Sequence, residues 1–328
     1  MSIQKIWKEI VKKASSNKTI KKIYKFFNKL VLPGFQGVPF LEVMRFFIES
    51  LFKGILFQRA AAMTYRLFIS IIPLLMALFA AISFLDESLR LQLLDLIHSM
   101  VPNYTWPAVS GIISGVIMKQ NGALLYSSFG VGLYLTLLSL NSIVTTLNIT
   151  YFKIQTRNLF QQLLVSLILL FVMGVILILG IGIFIGTSYA LRYINNNIEV
   201  PPAIYSFSIA FLKWILLAVL SYILISSLFY VAPVNKKNFK FFSAGSTFST
   251  VMLIILLYAL NFYFYYFPTY NLIYGSIGAL FAILLWIYWS STIILIGFDL
   301  NVSIYIAKQK MKDNEKFVLE STLNESSI

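Results

Sequence analysis

The residues able to do chemistry here are a few charges and amides set inside stretches that are otherwise apolar. Arg66 lies in the apolar stretch from about Ala60 to Leu85, Lys213 in that from Tyr205 to Ala232, and Asp299 in that from Ser276 to Ala307. A charge placed in a membrane span costs about 2.5–3.5 kcal/mol on insertion, so each needs a partner or a task. At 1.5 Å per residue Arg66 sits roughly 9–14 Å deep, and Asp299 lies at a similar depth from the corresponding end of its own stretch. An Arg66–Asp299 pair relieves both charges, and Arg59, nearer the headgroups, is the alternative partner for Asp299. Two readings follow: a charged patch in a cavity that binds an anionic headgroup or relays a proton, or a structural ion pair fixing two helices. Lys213, about 12 Å from the end of its stretch, has a stem long enough to snorkel to the interface.

Asn141, Thr145 and Asn148 are spaced i, i+4, i+7, with Ser142 and Thr146 beside them. One helix face therefore carries five polar side chains. It serves either as the wall of a hydrophilic cavity or as a source of interhelical hydrogen bonds, worth about 0.6 kcal/mol each in membranes. Catalytic sets are missing. The absence of Cys removes thiolate metal sites, thiol nucleophiles and disulfides, and the single His98 leaves no Ser-His-acid group. Metal-assisted nuclease chemistry needs clustered carboxylates or His. Of 12 acidic residues only Asp299 falls in a span, and no two have paired-metal spacing near His98. The expectation is a protein that is not an enzyme and takes no cofactor and no metal. Gly180, Gly182 and Gly186 are one residue too long for a dinucleotide fingerprint. Gly182 and Gly186 read instead as a small-residue helix contact. The Ser290–Thr292 hydroxyls are expected to bond back to their own helix. Pro73 interrupts its helix ladder and is compatible with a kink.

The elements that must position these groups are membrane spans. Of the 328 residues, 59% are apolar and 12% charged. Soluble domains run near 25% charged, so the composition excludes a disordered chain, a disulfide scaffold and an ordinary soluble enzyme. Six stretches reach the 20 or so apolar residues a span needs. They run from about Ala60 to Leu85, Ala123 to Thr150, Gln161 to Leu191, Tyr205 to Ala232, Phe241 to Phe267 and Ser276 to Ala307. The fold class expected is an all-α integral membrane protein with six transmembrane helices plus N-terminal interfacial amphipathic helices. Residues 1–40 form a basic amphipathic segment, 41–307 the six-helix domain, and 308–328 a polar tail. Ile3, Ile6, Trp7, Ile10 and Val11, then Ile20, Ile23, Tyr24 and Phe27, repeat the helical pattern over Lys-rich faces, and no cleaved leader is expected. Leu41 to Phe57 is a third amphipathic helix, with Glu42, Arg45, Glu49 and Lys53 as one charged stripe, and it is expected to lie flat and turn into the first span near Gln58. The loop 86–122 lies on the surface and partly dips in, with a helix from Asp86 to Val101 and a short apolar segment from Ala108 to Met118. The aromatic run between Tyr258 and Tyr270 is expected to mark an interface.

Charge fixes the orientation. Twenty-one of the 26 Lys and Arg flank one side of the six stretches, and Arg90, Lys119 and Arg192 the other. By the positive-inside rule both termini are cytoplasmic. The net charge of +14 then faces anionic membrane lipids, and no nucleic acid is needed to explain it.

Three segments resemble the YihY/BrkB family of bacterial inner-membrane proteins, once labelled ribonuclease BN. The first is Arg59-Ala-Ala-Ala-Met-Thr-Tyr65-Arg-Leu-Phe-Ile-Ser-Ile-Ile-Pro73. The second is Thr146-Leu147-Asn148, similar to the family's Ala-Leu-Asn. The third holds Tyr274, Gly275 and Gly278, then Trp286 and Tyr288, then Gly297-Phe298-Asp299-Leu300-Asn301, similar to the family's Gly-Ala-Glu-Leu-Asn. Pro233 falls on a further shared element. Arg66 and the Phe298-Asp299 pair depart from the family pattern, and residues 1–40 match none of it. The resemblance implies six helices in the bacterial inner membrane and a role in envelope or lipid transport.

Three functions compete on these observations. A transporter or translocase of a lipid or anionic solute would have a cavity lined by Arg59, Arg66, Asn141, Thr145, Asn148 and Asp299. A non-catalytic structural or partner-binding protein would have a tightly packed core. A ribonuclease has the least in its favour.

Overall fold

The computed structural model describes Lys22, Phe26 and residues 30–53, 55–100, 106–149, 157–197, 202–234, 239–266 and 269–325. Every element within them is an α-helix. The amphipathic pattern expected before residue 30 lies outside the described residues.

Helix α1, Phe40–Lys53, precedes α2, Leu56–Ile82. Helices α3, Glu87–Met100, and α4, Trp106–Met118, form the connection to α5, Gly122–Asn148. Helix α6 is Leu159–Asn197, α7 is Pro202–Val231, α8 is Ala244–Tyr266, and α9 runs from Thr269 to Glu325. Among the described residues, five helices are long and apolar enough to cross a membrane: α2, α5, and parts of α6, α7 and α9. The stretch expected as the fifth span is helical as α8, but its apolar part, Ala244–Leu260, is shorter. By this measure five of the six expected spans are met among the described residues, and the remaining one is present as the 23-residue α8. Apolar side chains crowd the outer surface, with Phe171 74% and Ile178 71% exposed, as a bilayer rather than water requires.

Helices α2 and α5 form the spine. Arg59 meets Thr146, Arg66 meets Ser139, and the Pro73–Leu74 backbone meets Gly132. Seven residues forward on α2 match seven back on α5, so the pair is antiparallel with heptad spacing. Gly132 leaves room for the backbone at Pro73, where an added methyl would come within 3.3 Å of Leu74 N.

A second close crossing joins α8 to α9. A methyl on Gly245 would run into the Gly297 carbonyl oxygen, and one on Gly297 into Ser249 Oγ. Small residues let the two backbones touch. Among the described residues nothing lies within 4 Å of a methyl at Gly182 or Gly186, so the contact expected there in α6 finds no partner among them. Gly180, two residues before Gly182, packs on Leu220 of α7 instead.

The α1 helix does not lie wholly on the surface. Val43, Phe46 and Ser50 turn inward, and the first two pack with Leu300, Ile304 and Ala307 of α9. Glu49, a member of the charged stripe, is 7% exposed, because helical geometry places it beside Phe46 and Ser50. Ahead of α1 a tight turn carries Gly34, Gln36 and Gly37 at φ of 89°, 54° and 85°. Gly34 needs both this backbone and its missing side chain, since a methyl there would lie 3.1 Å from Ala244 Cβ. Gln36 holds a left-handed conformation at a cost of order 1 kcal/mol, retained because Phe35 and Val38 anchor the turn on either side.

Candidate functional site

One end of the bundle gathers the polar side chains. There Arg59, near the start of α2, reaches two other helices. Its Nη2 donates to the Thr146 carbonyl at 2.6 Å, and its Nη1 lies 3.7 Å from Asp299 Oδ2 on α9. The side chains are 6% and 1% exposed. Neither Asp299 oxygen accepts a hydrogen bond of full geometry, although Ser50 of α1 sits beside the carboxylate. Arg59 Nε is also without an acceptor. This is a buried ion pair with charge compensation but incomplete hydrogen bonding, an expensive arrangement.

The Arg66–Asp299 pair expected from the sequence is not formed. Arg66 is exposed on the outside of the bundle, and Arg59 takes the partner role. The difference is one of level and not of rotation: Arg66 shares nearly the same face of α2 as Arg59 but lies seven residues, roughly 10 Å, farther along the helix from the level of Asp299.

Asn148 ends α5 and staples α7. Its Nδ2 donates to the Ala232 carbonyl at 2.9 Å and to the Val144 carbonyl at 2.7 Å, while its Oδ1 accepts from Val234 N at 3.0 Å. Pro233, between those two partners, has no N–H to offer and stops the helix. Arg157 completes the staple, donating from Nη1 to the Ala232 carbonyl at 2.8 Å and from Nη2 to the Pro233 carbonyl. Burial pulls the Arg157 guanidinium down from its ordinary value, and it still carries its charge. Sequence reasoning treated Arg157 only as one cation among many. The available signal was an Arg in a loop sharing its side with the Pro-terminated end of α7, whose last carbonyls need donors.

Asn141 and Thr145 do not join this group. Gln162 of α6 donates to Thr145 Oγ1 at 3.0 Å and faces the Asn141 carbonyl at 3.4 Å, while Thr145 is itself exposed. The five-residue polar face thus splits between an α5–α7 staple and an α5–α6 contact. Asn301 forms a third clamp, with Oδ1 accepting from Gly245 N at 2.8 Å and Nδ2 donating to Ser243 Oγ at 2.9 Å. Gly297, one turn earlier, is the crossing point with α8. Of the other motif residues, Tyr65 is 65% and Trp286 39% exposed, and Tyr288 packs against the core. Tyr274, Gly275 and Gly278 fall within α9, where only the backbone is described. Of the Ser290–Thr292 hydroxyls, Thr292 bonds back to its own helix at the Tyr288 carbonyl as expected, whereas Ser290 Oγ has no partner among the described residues and Ser291 Oγ faces Thr64 of α2.

Phe298 is wedged between Phe229, edge-on at 5.5 Å, and Phe239, stacked at 5.6 Å. This aromatic sandwich accommodates the bulk that departs from the family's Ala.

The family described as virulence factor BrkB matches residues 49–317, which take in the site residues from Ser50 to Asn301. The chain belongs to the BrkB family. This BrkB protein is similar to YfkH of Bacillus subtilis, which is named as ribonuclease-like, at 25% identity over 259 residues, 78% of this chain and 93% of the relative. It is similar to a UPF0761 membrane protein of Aggregatibacter aphrophilus at 26% identity, covering 74% of this chain and 84% of the relative. A UPF0761 membrane protein of Coxiella burnetii is 27% identical, covering 73% and 84%. No solved structure matches the chain. Asn148, Pro233, Gly297 and Asn301, the residues on which the resemblance falls, are those that tie α5, α7, α8 and α9 together at this end.

Proposed function

We propose that this BrkB protein is a non-enzymatic transporter that moves an anionic lipid or solute across the bacterial inner membrane, with Arg59 and Asp299 as its charge-coupled gate. The observation that carries the reading is Asp299 itself. It is 1% exposed at the junction of α1, α2 and α9, and neither oxygen accepts a hydrogen bond of full geometry, with only the Ser50 hydroxyl beside it. A static joint gains little from so incompletely satisfied a carboxylate, whereas a group that must exchange a proton or part from Arg59 during a cycle cannot be fully tied down. Charge balance supports an anionic cargo. Arg59, Arg66 and Lys213 lie in or at the spans against the single acid Asp299.

The alternative, a structural or partner-binding protein, draws on the bond from Arg59 to Thr146, which makes the pair a three-helix joint. Proteoliposomes separate the two. Labelled phosphatidylglycerol, a polyprenyl-linked lipid and a soluble organic anion are each followed across the bilayer for the native chain, Asp299→Asn and Arg59→Ala. The transporter reading expects faster exchange of at least one cargo and a drop of tenfold or more in Asp299→Asn. No exchange of any of them by folded protein overturns it and leaves the structural role.

A further inference from the structure

At the same end as the polar clamps, but apart from Arg59 and Asp299, two cavities adjoin. One is a polar chamber of about 300 Å³ lined by Gln36, Lys240, Ser243 and Asn301. The other is an apolar groove of about 660 Å³ lined by Leu32, Phe40, Met44, Phe47 and Phe248. They share Gly34, Phe242 and Ser243 as their common wall. Both fall within the size range of ligand sites.

The chamber is built. Gln36, held in its left-handed conformation, accepts from Lys308 Nζ at 3.0 Å, which brings a second ammonium to the chamber's edge. Asn301 and Ser243 satisfy the backbone N–H groups of Gly245 and Ser246, so the start of α8 offers its positive end but not these two donors. Lys240 is exposed and free to meet an anion. No carboxylate is among the described residues lining either cavity. On the groove side Thr247 is exposed at the wall and Phe242, 70% exposed, stacks on Tyr222 at the mouth.

From this juxtaposition we infer that the chamber and groove together bind one anionic phospholipid, its phosphate headgroup at Lys240 and Lys308 and an acyl chain along the Phe40–Phe47–Phe248 groove. Cations beside an apolar trough at the end of a bundle complement an anionic amphiphile, and the surrounding bilayer supplies one. The site needs no transport step and does not depend on the Arg59–Asp299 reading, because binding is read directly.

The test is native mass spectrometry of the full chain in detergent, titrated with phosphatidylglycerol or with phosphatidylcholine of the same acyl chains. Phosphatidylglycerol is expected to bind at least fivefold tighter. Lys240→Glu should weaken it about tenfold or more while leaving phosphatidylcholine little changed, since each cation near a lipid surface contributes roughly a fivefold preference. Thr247→Trp, which fills the groove from an exposed position, should weaken both lipids. A photocrosslinker at position 247 should capture lipid. Equal affinity for the two lipids, no effect of either variant, competition by inorganic phosphate alone, or crosslinks to the chain's own N-terminal residues or to a second copy would each overturn the assignment. Lys240→Ala guards against a folding defect, and it should lower the phosphatidylglycerol preference in the same direction.

Discussion

Asp299 reaches Arg59 only to 3.7 Å, and the side chain that the family resemblance puts at this position, Glu, is one methylene longer. A methylene adds about 1.5 Å of reach, enough to close the gap to hydrogen-bond distance. Asp299→Glu is therefore expected to raise stability in mixed-micelle unfolding, by about 1 kcal/mol, and to slow any cycle in which the pair must part. Truncation acts oppositely. Arg59→Ala leaves a buried, unpaired carboxylate and should cost about 3–5 kcal/mol, whereas the double change Arg59→Met with Asp299→Leu should return to within about 1–2 kcal/mol of the native chain. A double variant as unstable as the single one would show that Arg59 acts through its bond to Thr146 rather than through the charge pair. The sequence placed Arg59, Asn148, Asp299 and Asn301 among the residues of interest. It could not choose between Arg59 and Arg66, because residues seven apart share nearly one helix face and only the position of α9 breaks the tie.

Between elements, the decisive contacts are made by residues without side chains. Substituting Ala along the glycines should give a graded series set by what the new methyl meets. Gly245→Ala and Gly297→Ala drive a methyl into backbone or a short hydroxyl and should cost about 3 kcal/mol or more. Gly132→Ala, at 3.3 Å from Leu74 N, should cost about 1 kcal/mol. Gly182→Ala enters open space and should stabilise by up to about 1 kcal/mol, the helix-propensity gain of Ala over Gly. A flat series in thermal unfolding would mean that the α8–α9 crossing relaxes freely. The apolar lengths revealed the helices to within a few residues, from α2 to α8, since a span is fixed by its own composition. The crossings were not legible. Glycine spacing in α6 matched the small-residue pattern but meets no partner among the described residues, while Gly245 and Gly297 lie 52 residues apart in the chain and become neighbours only when α8 packs on α9. Likewise the inward turn of α1 depends on α9, which the amphipathic pattern of α1 alone does not contain.

For the whole molecule, the charge asymmetry and the contacts make one argument about sidedness. Polar clamps join α2 to α9, α5 to α7 and α8 to α9 at a single end, and Lys308 beside Gln36 places the turn before α1 there too. The antiparallel α2–α5 spine spans 27 residues per helix, about 40 Å at 1.5 Å per residue, which carries the chain across a bilayer. Arg90 and Met118, joined by a 3.4 Å bond in the α3–α4 connection, then lie at the far end. The absence of Cys makes this directly measurable, because any introduced thiol is the sole target. Lys240→Cys and Lys308→Cys should react with a membrane-impermeant maleimide only after the cytoplasmic face of inner-membrane vesicles is exposed, and Lys119→Cys only from the opposite face in intact cells. The positive-inside rule sets the direction of this expectation, while the shared clamps require positions 240 and 308 to label together whatever the direction. Labelling of those two from opposite faces would break the arrangement of α1, α8 and α9, and with it the chamber between them. Labelling of both from outside would keep the fold but invert it, and a site for an anionic lipid would then face the outer leaflet.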